Sequence, residues 1–75
     1  MISNKEFAAK VLEETSTCFE RLNDLLLDAQ EILSDQEFRE LRIAVGKVLG
    51  EMYVEVERPI HKAHPNLEPE ALRDG

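Results

Sequence analysis

The chain has 75 residues, of which 43% are hydrophobic and 33% are charged, and its formal net charge is −7. This length allows one domain, residues 1–75, and the mix of apolar and charged residues is typical of a folded protein. The acidic balance argues against nucleic acid or anionic lipid as a partner, since binding either one requires clustered Lys or Arg. A single cysteine excludes an internal disulfide framework.

The first residues lead directly into a charged segment, without the apolar core of a signal peptide. No stretch approaches the ~20 apolar residues that a transmembrane helix needs. We therefore expect a cytoplasmic protein that has no membrane partner. Glycine and proline are scarce, with three of each, and no segment shows the alternating pattern of a strand. The fold class is predicted to be all-α.

The first predicted helix runs from about Ser3 to Leu33. Ser3 and Glu6 have the S-x-x-E spacing of a capping box, in which the two side chains bond each other's backbone amides. Apolar residues recur at helical spacing over an arc of roughly 160°, which predicts one buried face opposite an acidic, solvated face. Thr15 lies in the apolar arc, where its hydroxyl can bond a carbonyl one turn back. Cys18 lies beside the same arc and is expected to be a small buried residue.

The second predicted helix runs over residues 35–63. Ser34 and Glu37 form a second capping box, which favours a break after Leu33 and a tight antiparallel hairpin over one continuous helix. Pro59 lacks an N–H and predicts a kink, and a short turn is expected at residues 69–73. The main apolar stripe of this helix comprises Phe38, Leu41, Val45, Val48, Leu49, Met52, Val56, Ile60 and Ala63.

A second apolar strip, here called the glycine strip, lies beside the main stripe on the same helix. It consists of Ile43, Gly46, Gly50, Tyr53 and Val54. Glycine inside a helix costs roughly 1 kcal/mol relative to alanine, and two on one side favour close approach of another helix over tolerated accidents. A helix that is apolar over more than half its circumference must be covered on more than one side. We therefore predict a C2 dimer that forms a four-helix bundle through the glycine strip.

The best candidate for site chemistry is Glu57, His61 and His64, at spacings of four and three residues. Such a group is a weak candidate for a divalent metal site, and the alternative is histidines placed favourably at a helix C-terminus. The sequence contains no Ser-His-Asp constellation, phosphate loop or pair of carboxylates in an apolar setting. We expect no cofactor and no enzymatic activity.

These observations predict a small non-enzymatic protein-interaction module, such as a homodimeric adaptor, a chaperone-like protein or a regulatory subunit. Its expected partner is a second copy of itself, with another protein as a further possibility. Two alternatives remain open. One is metal binding at Glu57, His61 and His64. The other is an acidic inhibitor of a basic protein, of the immunity-protein or antitoxin kind, which charge alone supports.

Overall fold

The computed structural model describes residues 2–67, which form an antiparallel helical hairpin, as predicted. Helix α1 spans Lys5–Ile32 and helix α2 spans Asp35–Met52. The chain continues from α2 through a π-helical turn, Tyr53–Glu57, into helix α3, Arg58–Ala63, and ends in a 3₁₀ turn, Pro65–Leu67. The turn predicted at residues 69–73 lies outside the described residues.

The hairpin connection is formed by Leu33 and Ser34, both in extended conformation. The Ser34 hydroxyl oxygen accepts a bond from the Glu37 amide at 3.2 Å, and the Glu37 carboxylate accepts one from the Ser34 amide at 3.3 Å. The predicted capping box is thus confirmed. The Leu33 amide donates to the carbonyl of Ala29 at 2.8 Å and closes the end of α1. Because both helix ends are satisfied locally, the chain reverses within two residues.

Helix α1 begins one residue later than the sequence predicted. The cap is Asn4 in place of Ser3, and its side-chain oxygen accepts from the amide of Phe7 at 2.9 Å. The Ser3–Glu6 capping box is therefore wrong. Asparagine caps a helix as well as serine does, so the local sequence allows either Ser3 or Asn4 to be the cap. A cap at Asn4 leaves Ile2 outside the helix, where its carbonyl lies 2.7 Å from Nε2 of His64.

The core between the helices is thin. Among the described residues, the buried apolar side chains are Ala8, Ala29, Val45 and Ile60, and Ile60 is the large one that is fully enclosed. Thr15 is also buried, and its hydroxyl donates to the carbonyl of Leu12 at 3.0 Å, which confirms the predicted local bond. Since alanines supply half of the buried apolar set, the core provides little volume to stabilise the hairpin.

Near Pro59, where the sequence predicts a kink, the structure has a π-helical turn just before the proline. The Arg58 amide donates to the carbonyl of Tyr53, five residues back, immediately before the proline that lacks an N–H. The turn contains one extra residue, which shifts the later side chains by about 100° around the axis. In an uninterrupted helix, His64 would point about 100° away from Val45; with the extra residue it points in nearly the same direction. The turn thus brings His64 towards the N-terminal segment and its contact with Ile2.

Candidate interaction surface

The apolar arc of α1 is only partly covered by α2. Phe7 is 55% exposed and Ile32 is 79% exposed, while Leu25 and Cys18 are also exposed. We call this row of four residues the α1 strip. The expectation that Cys18 is buried was wrong. One partner helix covers a narrower arc than the roughly 160° over which α1 is apolar, so the edge of the arc remains in solvent.

The whole chain exposes more surface than a compact monomer of its mass. Its accessible surface is 5891 Å² for a mass of 8.6 kDa. A globular monomer of that mass exposes about 4,700 Å², so the excess is about 1,200 Å². The radius of gyration is 14.9 Å, against about 11 Å for a compact domain of this length. The chain as a whole is thus less compact than a globular monomer of the same length.

The glycine strip is exposed along its length. Ile43 is 52% exposed, Tyr53 is 41% exposed and Val54 is 47% exposed. A Cβ atom built on Gly46 or on Gly50 would meet no atom within 4 Å. The glycines therefore make room for nothing in the hairpin itself, and they leave a shallow depression between Ile43 and Tyr53.

The strip faces away from α1. At about 100° per residue, its centre lies roughly 130° around the axis from Val45, which is buried against α1. The α1 strip is centred roughly 70° around the α1 axis from the buried residues of α1, in the opposite rotational sense. In an antiparallel pair of right-handed helices, this places it on the other face of the hairpin, beside the exposed Val48. The hairpin thus carries two separate apolar surfaces, of which the glycine strip belongs to α2 alone.

Two arginines extend the glycine strip towards the start of α2. Arg39 and Arg42 are exposed, and with Asp35 and Phe38 they line an open surface cavity of about 260 Å³. Arg39 lies on the line of the strip, while Arg42 lies on the flank between the strip and the core. The apolar surface therefore ends in positive charge at its N-terminal end, where a partner would meet it.

The three metal candidates occupy different settings. His64 is bonded to the Ile2 carbonyl, Glu57 ends the π-helical turn and His61 lies in α3. Within residues 2–67, no group of three or more His, Cys, Asp or Glu side chains is arranged to hold a metal ion. A metal bound through Nε2 of His64 would first have to displace the Ile2 carbonyl. In the same part of the chain, every buried side-chain nitrogen or oxygen has a hydrogen-bond partner.

Sequence reasoning placed Ile43, Gly46 and Gly50 on one side of a helix, and in α2 they lie together on its exposed side. Sequence reasoning missed the α1 strip as an exposed surface, since its residues share the periodicity of the buried ones. Over residues 2–67, no helix is both long enough and apolar enough to cross a membrane. The chain matches no protein-family model, no curated protein and no solved structure.

Proposed function

We propose that this chain is a non-enzymatic, cytoplasmic interaction module that works as a homodimer through the glycine strip. The observation that carries the proposal is the open space at Gly46 and Gly50 between the exposed Ile43 and Tyr53. A helix of the same kind fits such a surface, because missing side chains let two backbones approach closely. The charges on α2 exclude the membrane setting in which this packing is best known.

The uncovered area supports a second copy as the occupant. Within residues 2–67, large apolar side chains are exposed on both faces of the hairpin, and a stable interface buries about 800 Å² per partner. An interface on the glycine strip would leave the α1 strip free. Pairing the two α2 helices at the centre would form the four-helix bundle expected from the sequence.

The surfaces left outside this dimer are suited to a different protein. The α1 strip and the acidic face of α1 would both remain in solvent, once on each side of the dimer. A bundle that presents two copies of one surface is the arrangement expected of an adaptor or a regulatory subunit. The acidic-inhibitor alternative would use the same acidic face, and the net charge of −7 is its support.

The test is the solution mass by light scattering over a wide concentration range, for wild type, Gly50→Leu and Ala44→Leu. Gly50→Leu places a bulky side chain in the depression without disturbing the hairpin, because the space around its Cβ is open. Ala44→Leu is the matched control: it adds a similar side chain at an exposed position of α2 about 120° around the axis from Gly50.

The expected result is a dimer for wild type and for Ala44→Leu, and a folded monomer for Gly50→Leu. Circular dichroism would establish that the leucine variant keeps its helix content. A monomeric wild type at all concentrations would refute the proposal. A dimer that tolerates Gly50→Leu would refute the glycine strip as its interface.

A further inference from the structure

From Arg39 to Glu57, across α2 and the π-helical turn, the chain has an order of residues that is symmetric about its middle. Ile43 precedes Gly46 by three residues, and Tyr53 follows Gly50 by three. Arg39 precedes Gly46 by seven residues, and Glu57 follows Gly50 by seven. The two glycines thus lie at the centre, large side chains come next on each side, and opposite charges lie at the ends. The midpoint falls at the level of residue 48.

This order distinguishes the two ways in which two copies of α2 can pair symmetrically. In a parallel pair each residue faces its own copy, so the arginines at positions 39 and 42 would oppose the same arginines of the second chain. In an antiparallel pair the two ends are exchanged, so the basic end of one helix meets the end of the other that carries Glu57. Opposite charges across an interface select orientation, and like charges penalise the wrong one.

We propose, resting on the homodimer above, that the two α2 helices pack antiparallel about a two-fold axis at the level of residue 48. Ile43 of each chain then lies against the partner's Tyr53, and Arg39 lies near the partner's Glu57. Gly46 lies opposite the partner's Gly50. The ends of the contact are about 13 Å from the axis on each side, since nine residues of helix span that length.

The π-helical turn affects how the charged ends meet. It turns Glu57 by about 100° from the line of the strip, towards the side that carries Val45 and to about 40° from the direction of Arg42, and Glu57 is partly exposed. A two-fold axis perpendicular to an antiparallel pair brings the same flank of both helices to one side. The partner's Arg42 and Arg39 therefore lie at about the level of Glu57, with Arg42 on the nearer flank. The dipoles of the paired helices are also opposed, which favours this orientation.

The experiment is charge reversal at the two ends, with the dimer dissociation constant measured by analytical ultracentrifugation. The variants are Arg39→Glu, Glu57→Arg, the double variant, and an equimolar mixture of the two single variants. Arg21→Glu and Glu13→Arg are the matched controls. Each makes the same change in net charge as one of the single variants, at an exposed position of α1 away from the glycine strip. Circular dichroism checks that each protein is folded.

Each single reversal is expected to raise the dissociation constant roughly tenfold or more, because the two-fold axis converts two attractive pairs into repulsive ones. The double variant and the mixture are expected to return to within about threefold of wild type, since both restore opposite charges at each end. The α1 controls should stay within the same threefold range.

Two outcomes would overturn the antiparallel arrangement while leaving the homodimer intact. One is a wild-type dimer that single reversals do not weaken; the other is a double variant that is as weak as the singles. Disulfide formation in a Cys18→Ser background is a second test of the relative orientation of the two α2 helices. Ile43→Cys chains mixed with Tyr53→Cys chains should cross-link to each other, whereas cross-linking of Ile43→Cys chains among themselves would show parallel packing. A wild-type chain that never dimerises would instead refute the proposed function.

Discussion

Replacing Ile60 by alanine is expected to destabilise the hairpin more than the same change at any exposed isoleucine. Ile60 is 0% exposed and is the largest fully buried side chain in the described residues. Truncating a buried isoleucine to alanine costs about 2–5 kcal/mol, because apolar contacts are lost and a cavity remains. A domain of this length has about 4–11 kcal/mol of total stability. The variant should therefore lose at least about a fifth of its free energy of unfolding.

The informative control is Ile43→Ala, which makes the same chemical change on the glycine strip. Ile43 is 52% exposed in the hairpin, so at high dilution its truncation should cost less than about 1 kcal/mol. If the strip is covered in a dimer, the cost should rise with protein concentration, since dissociation then precedes unfolding. The cost of Ile60→Ala should instead be the same at every concentration.

The assay is urea unfolding followed by circular dichroism, at protein concentrations that span the dimer dissociation constant. Two results would refute the reasoning about the core. One is a loss below 1 kcal/mol for Ile60→Ala; the other is a loss for Ile43→Ala at high dilution that equals that of Ile60→Ala. Either would mean that the burial of Ile60 is not a main source of the stability of the hairpin.

Two further predictions concern the start of α1 and the contact that closes the hairpin. Asn4→Ala should lower the free energy of unfolding by about 1 kcal/mol in a urea titration, whereas Ser3→Ala should change it by a few tenths, because Asn4 caps the helix. Equal losses would mean that the two residues share the cap. His64→Ala should cost about 0.5–1.5 kcal/mol, since it removes the bond to the Ile2 carbonyl, and His61→Ala should cost less. A larger loss from His61→Ala in the same titration would contradict the assigned contact.

The overall hairpin was predictable from the sequence because its signals are local. Ser34 and Glu37 form a reciprocal pair of bonds that needs no distant residue, and the apolar stripe of α2 continues directly from it. Thr15 likewise bonds within its own helix. At the start of α1, local chemistry offered two equivalent caps, Ser3 and Asn4, and the bond between Ile2 and His64, 62 residues apart, accompanies the choice of Asn4.

The remaining features depend on contacts that periodicity does not encode. Pro59 predicts a local disturbance, but the π-helical turn is one of several that a missing N–H permits. Its effect is large for the candidate metal site, since it moves His64 by about 100° relative to a straight helix. The exposure of Cys18 has a different cause. A helical wheel gives the width of an apolar arc, and the number of neighbouring helices decides how much of that arc is buried.

The energetic balance of α2 connects these features to function. Two glycines inside a helix cost about 2 kcal/mol relative to alanines, which is a substantial part of the roughly 4–11 kcal/mol available to a chain of this length. Within the hairpin nothing offsets this cost, because no atom lies within 4 Å of a Cβ position at Gly46 or Gly50. Close packing by a second α2 would offset it. Gly50→Leu separates the cost of the glycine to the monomer from its contribution to the dimer. The variant should make the monomer more resistant to urea while abolishing the dimer. A leucine variant that weakens both the monomer and the dimer would mean that the glycines are needed for folding of the hairpin and not for its dimerisation.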